Sequence, residues 1–153
     1  MKSKTIYDSD NSTGVLLDRA SQLMRLGLNR KFTGTGCQAT AEQWKILLAL
    51  WQADGISQQE LADNVFKSKA SMTKLIDGLE SRGLVSRRAA PEDRRQKRIY
   101  LSPKGIDELE TLMVQAKRNL AQAELGIPEL ELQVFKHVLK QIISNMEQGN
   151  VDE

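Results

Sequence analysis

The side chains best placed to do chemistry in this sequence are cations. Residues 82–104 hold eight of them, Arg82, Arg87, Arg88, Arg94, Arg95, Lys97, Arg98 and Lys104, against only Glu92 and Asp93. A segment that stacks cations with so few local partners attracts a surface carrying negative charge, and a polyphosphate backbone is the commonest such surface. A solvated, charged hairpin is the bland alternative. Enzyme chemistry finds no comparable constellation. His137 is the only histidine and sits beside Lys136. There is no nucleophile motif, glycine-rich phosphate loop or paired metal-ligand spacing. The sequence therefore predicts no enzyme activity, no metal and no cofactor.

The charge is unevenly spread. The formal net charge is only +2, but it divides into 0 over residues 1–65, +7 over 66–104 and −5 over 105–153. That central cationic segment says more about partners than the total does. A chain of 153 residues, 40% hydrophobic, has the material for one compact domain or two small interlocked halves. Cys37 is the only cysteine, which excludes an intrachain disulfide and fits a reducing compartment. The longest apolar run, residues 46–51, is far short of the roughly 20 residues that span a bilayer. No secretory signal is visible, so the expected location is the cytoplasm, away from membranes.

The elements that must position the cations follow from caps and periodicity. Residues 1–13 are polar and are expected to form a flexible arm. Over residues 14–32, Leu16, Leu17, Ala20, Leu23, Met24, Gly27 and Leu28 recur at three and four and draw an amphipathic helix. Thr40 and Gln43 form a capping box before a second helix, apolar nearly all round and expected in the core. Ser57 and Glu60 open a short third helix, residues 58–65, with Gln58 at its start. After a tight turn at Phe66 and Lys67, Ser68 caps a helix from residue 69 to about 82, with Met72, Leu75, Ile76 and Leu79 inward. Lys69, Ala70, Thr73 and Lys74 stay outside, with Ser71 near the boundary. Two helices joined by a short turn, the second offering small polar and cationic groups, make a helix-turn-helix sized for the major groove. Gly83 ends that helix. Residues 84–88 and 97–101 then alternate as two strands around a long, structureless, basic tip, residues 89–96.

The run LADNVFKSKASMTKLIDGLESRGLVSRRAAPEDRRQKRIYLSPKG resembles the winged-helix core of the MarR family of bacterial transcription regulators. The family pattern of Asp, Arg, Leu and then Thr or Ser is met by Asp93, Arg95, Leu101 and Ser102. The resemblance is dense over residues 57–105 and weaker across the rest. It implies a mostly α fold, a winged helix-turn-helix domain with N- and C-terminal helices forming a dimerisation domain. The implied division is 37–102 for DNA binding and 14–36 with 103–148 for dimerisation. By the same resemblance Arg95, with Arg94, enters the minor groove, where a guanidinium suits a narrow A·T-rich floor, and Asp93 braces the wing through an ion pair. The expected double-stranded-DNA contacts are Ser68, Lys69, Ala70, Ser71, Thr73 and Lys74 on the recognition helix. Arg87, Arg88, Asp93, Arg94, Arg95, Lys97 and Arg98 are expected from the wing, and Gln58 on phosphate.

After the wing, Pro103 opens a helix whose stripe is Ile106, Leu109, Met113, Ala116, Leu120 and Ala123, and Pro128 opens a last one with Leu132, Phe135, Leu139, Ile142 and Met146. Pairing these seams in a homodimer would bury them and hold two recognition helices about 34 Å apart, one DNA turn. An intrachain bundle is the alternative. The family implies a ligand-responsive repressor on pseudo-palindromic operators, with a small aromatic effector. Met24, Phe32, Trp44 and Trp51 are the candidate effector pocket, against the plainer reading that they are core. Two rivals stand beside this reading: a winged helix that binds an acidic protein, and a thiol-based redox sensor at Cys37. The latter is disfavoured because no cation adjoins the thiol.

Overall fold

The computed structural model describes residues 10–65 and 67–149. Most of the polar arm, residues 1–9, and Phe66 of the expected tight turn lie outside them. The order is α1 (Thr13–Thr33), α2 (Ala41–Gln52), β1 (Ile56–Ser57), α3 (Gln58–Asn64), α4 (Lys69–Ser81), β2 (Val85–Ala89), β3 (Lys97–Leu101), α5 (Pro103–Ala123) and α6 (Glu129–Gly149). The chain divides into two units, Met1–Asn119 and Leu120–Glu153. The mostly helical, winged class expected from sequence is what forms.

Local rules explain the helix starts. Thr40 accepts from the Gln43 backbone N–H while the Gln43 side chain accepts from that of Thr40, and Ser57 and Glu60 repeat the arrangement. Ser68 caps α4 by accepting from the Ser71 N–H at 3.2 Å. Gly83 leaves α4 at φ +73°, a left-handed turn open to glycine at no steric cost. Pro103 is the first residue of α5, as expected, whereas Pro128 sits one residue ahead of α6 and its carbonyl accepts from Leu132.

The core of the first unit gathers Phe32, Ile46, Leu47, Leu50, Leu61, Met72, Ile76, Leu79, Leu84, Ile99, Leu109 and Leu112, all essentially removed from water. Helix α2 is its centre, though Trp51 at its end is half exposed. The sheet has order β1-β3-β2, all antiparallel. The strand β1 escapes sequence reading because two residues carry no period. It matters nonetheless: Ile56 pairs with Ile99 and Ser57 with Arg98, tying the entrance of α3 to the wing. Two side chains fasten α4 further. The Arg82 guanidinium donates to the Gln43 side chain at 2.7 Å, and Lys67 meets Glu42 at 2.6 Å.

On α5 the buried positions are Gly105, Leu109, Leu112 and Asn119 rather than the full expected stripe; Leu120 is exposed. Asn119 is a polar exception with partners, its amide donating to the Met24 carbonyl at 2.9 Å and accepting from Lys31. A Cβ on Gly27 would come within 2.6 Å of it, so the glycine makes room for α5 against α1. In the second unit Leu132 of α6 is buried, and Leu139 and Ile142 are partly covered. Phe135 and Met146 of the same stripe stand exposed, as do Leu130, Val134 and Ile143. Among the described residues, no helix is long and apolar enough to cross a membrane.

Candidate nucleic-acid interface

Helix α4 and its cap expose Ser68, Lys69, Ala70, Ser71, Thr73 and Lys74, the residues expected to meet DNA. Not all of them are free to read DNA. Thr73 donates its hydroxyl to the Lys69 carbonyl at 3.0 Å and accepts from the Gln58 amide at 2.9 Å. Gln58 in turn accepts from Arg87 Nε at 3.3 Å. Gln58, expected on phosphate, also joins α3, α4 and β2, because its amide can donate and accept at once.

The wing divides its cations by strand face. Paired residues of an antiparallel ladder share a side of the sheet. Val85 pairs with Leu101 and Arg87 with Ile99, so Arg87 shares the face of a fully buried isoleucine. There it forms ion pairs with Asp77 at 2.6 Å and Glu80 at 3.0 Å, and its side chain is only 17% exposed. Its charge is thus paired inside the domain, unlike that of the other cations expected on DNA at the wing tip. On the other face Arg88 lies directly across from Arg98, a like-charge pairing that costs energy unless each finds another partner. Arg88 stacks over the Tyr100 ring at 4.7 Å, and Arg98 is paired with Glu92. Glu92 is held below the usual carboxylate range, first by its own backbone N–H and then by Arg98.

The tip is ordered rather than structureless. The Ala90 N–H continues the ladder to the Gln96 carbonyl at 3.0 Å, and Ala90 is buried. Asp93 accepts from the Arg95 backbone N–H at 2.9 Å, and its own carbonyl accepts from Gln96. Asp93 thus braces the wing by folding the turn, whereas the wing's ion pair is made by Glu92; an acceptor two residues before a backbone donor is the usual use of Asp in a turn. The result presents Arg94 and Arg95 outward. Among the described residues, Lys69, Lys74, Arg94, Arg95 and Lys97 enter no ion pair, and all are exposed.

Helix and wing converge. A cleft of about 240 Å³ lies between them, with Ala62 and Met72 among its apolar lining and Lys69, Arg95 and Lys97 supplying its charge. A concave surface carrying unpaired cations from two elements matches a groove edge and its phosphates better than a flat protein surface.

The remaining candidates differ in burial. Phe32 and Trp44 pack edge to face, centroids 5.7 Å apart, inside the core, while Met24 and Trp51 lie on the surface. Of the four residues expected to line an effector pocket, two are thus buried and two exposed in the single chain; Trp44 and Trp51, seven residues apart, share one side of α2, and Trp51 is exposed in its last turn. Cys37 is partly covered. Burial pushes its thiol up, and the Glu108 carboxylate pushes the same way, against a lowering contribution from Thr35. The direction is opposite to the lowered value of a sensing thiolate.

Comparison with known proteins converges on one family. The model described as MarR family matches residues 39–97. An HTH-type transcriptional regulator of Bacillus subtilis, YdgJ, itself uncharacterised, is 30% identical over 102 residues, covering 67% of this chain and 62% of that protein. The HTH-type transcriptional repressor YetL of the same organism is 36% identical over 95 residues, covering 61% of this chain and 56% of its own. The chain thus spans less than two thirds of the length of these two curated relatives. A crystal structure of a MarR-family transcriptional regulator from Rhodococcus sp. RHA1 superposes with a TM-score of 0.79 at 26% identity, covering 90% of this chain and 96% of that one.

Proposed function

Because the chain belongs to the MarR family of transcriptional regulators, we propose that it is a sequence-specific double-stranded-DNA-binding repressor, acting as a homodimer on a pseudo-palindromic operator. The observation that carries this reading is the shared cleft: Lys69 from the recognition helix meets Arg95 and Lys97 from the wing there, none of them ion-paired among the described residues. Residues 37–102 would do the reading. Residues 14–36 and 103–148 would make the pair, which the exposed apolar residues of α1 and α6 favour, since Leu16, Leu23 and Leu26 on one and Leu130, Val134 and Phe135 on the other face solvent in the single chain. Operator binding would follow from two copies of α4 held one DNA turn apart.

A response to a small molecule is part of the proposal, on the ground that relatives of this fold have been seen with such ligands bound. Met24, Phe32, Trp44 and Trp51 are the residues proposed to line its chamber.

Titrating binding to random duplexes across salt tests the central claim. The expected result is a steep negative slope of log affinity against log salt, because each phosphate contact releases counterions. Arg95→Ala should make that slope shallower by about one if it holds phosphate. If it reads the minor groove, it should cost about 1 to 3 kcal/mol on an A·T-flanked duplex. A chain that ignores random duplexes in dilute buffer but retains an acidic protein partner is an interaction module instead.

A further inference from the structure

We propose that Arg87 is a positioning residue for sequence discrimination: it clamps the recognition helix to the wing and touches no DNA itself. This rests on the reading of the domain as a DNA binder. Five of its contacts reach two other elements, α3 and α4. Nη1 faces Asp77 and Glu80 at 2.6 and 3.0 Å, Nη2 donates to the Thr73 carbonyl at 3.2 Å, Nε donates to Gln58 at 3.3 Å, and the backbone N–H donates to the second Glu80 oxygen at 3.0 Å. Gln58 closes the circuit by donating to the Thr73 hydroxyl at 2.9 Å.

The geometry has a directional consequence. Thr73, Asp77 and Glu80 stand four and three residues apart, so they form one stripe of α4 turned toward β2. Lys74, one step round the helix from that stripe, and Ser71, further round, are exposed and are left to meet base edges. Each residue step is about 100° of helix rotation, so a modest roll of α4 would carry those side chains off their bases. Phosphate contacts made by flexible lysines tolerate such a roll; bidentate base contacts do not. The clamp therefore governs discrimination more than total affinity. A planar guanidinium, with five N–H donors in a fixed fork, can hold all these acceptors together, whereas a lysine ammonium is a single point.

The test compares the full chain with Arg87→Lys, Arg87→Met and the double variant D77N/E80Q. The probes are a duplex enriched by the wild-type chain from a random pool and a shuffled duplex of the same composition. All three variants should lower the enriched-to-shuffled affinity ratio about tenfold, the scale of one base-reading contact. The salt slope of Arg87→Met on the shuffled duplex should match wild type, because no phosphate contact has been removed. In the absence of DNA, amides of α4 in Arg87→Lys should exchange faster than in wild type, while those of α2 keep their rates. The clamp is overturned if Arg87→Lys keeps the ratio, or if Arg87→Met makes the slope shallower by about one. It is equally overturned if D77N/E80Q leaves the ratio unchanged. A wild-type chain that enriches no duplex removes the DNA reading instead. Exchange in α4 then decides the clamp by itself, unchanged rates in Arg87→Lys counting against it.

Discussion

Arg87 and Arg95 show how little residue type says about role. Both are wing arginines, yet one lies under the sheet face against two carboxylates and the other projects from a turn that Asp93 folds. Lys67 and Glu42 make a further charged contact with a measurable consequence. The Lys67 ammonium, 2.6 Å away, holds the Glu42 carboxyl below its ordinary range, chiefly by hydrogen bonding. A carboxylate depressed on folding stabilises the fold above its unfolded value, about 4.3 for glutamate, and that contribution disappears as pH falls through the folded value. Glu42→Gln should therefore melt lower than wild type at pH 7, by an amount under about 1 kcal/mol since the pair is partly exposed. The two melting curves should converge as the pH falls through the folded value. A gap that persists in acid would assign the effect to packing.

Among the elements, the junction of wing and α5 depends on one close approach. A Cβ on Gly105 would stand 2.1 Å from the Leu84 carbonyl oxygen, and that carbonyl already accepts from the Ser102 N–H at 3.0 Å. Neither backbone can yield without breaking the base of the hairpin. Gly105→Ala is expected to cost roughly 3 kcal/mol, read as a lowered denaturant midpoint with an unchanged slope. Wild-type stability in that variant would mean that α5 can slide freely against β2. The same junction explains why capping and periodicity located α5 in the sequence but did not place it. Ser102 accepts from the Gly105 N–H at 2.9 Å, a local cap legible in any sequence, whereas the contact with Leu84 spans twenty-one residues.

For the whole molecule, the proposal turns on the faces that a single chain leaves wet. In α6, Leu130, Val134 and Phe135 remain exposed, with Leu16, Leu23 and Leu26 in α1. Exposed apolar residues in such numbers suit a symmetric interface, with each copy covering the other. Phe135→Asp should shift sedimentation toward the monomer. It should also make operator binding steeply dependent on protein concentration, because the two half-sites would lose their fixed spacing of about 34 Å. A wild-type chain that sediments as a monomer at micromolar concentration would defeat the paired arrangement.

Helix positions, capping boxes at Thr40 and Ser57, the glycine exit at Gly83 and the cationic hairpin were all readable in advance. Each depends on neighbours within a few residues, and local geometry is what spacing encodes. The ordered tip, the two-residue β1, the split of Phe32 and Trp44 from Met24 and Trp51, and the neutralised Arg87 were not. Those outcomes depend on partners such as Gln58, Asp77 and Ile99, which folding brings alongside from other elements. Pairing a charge or burying a ring is a through-space event, and linear order carries no distance between residues of different elements.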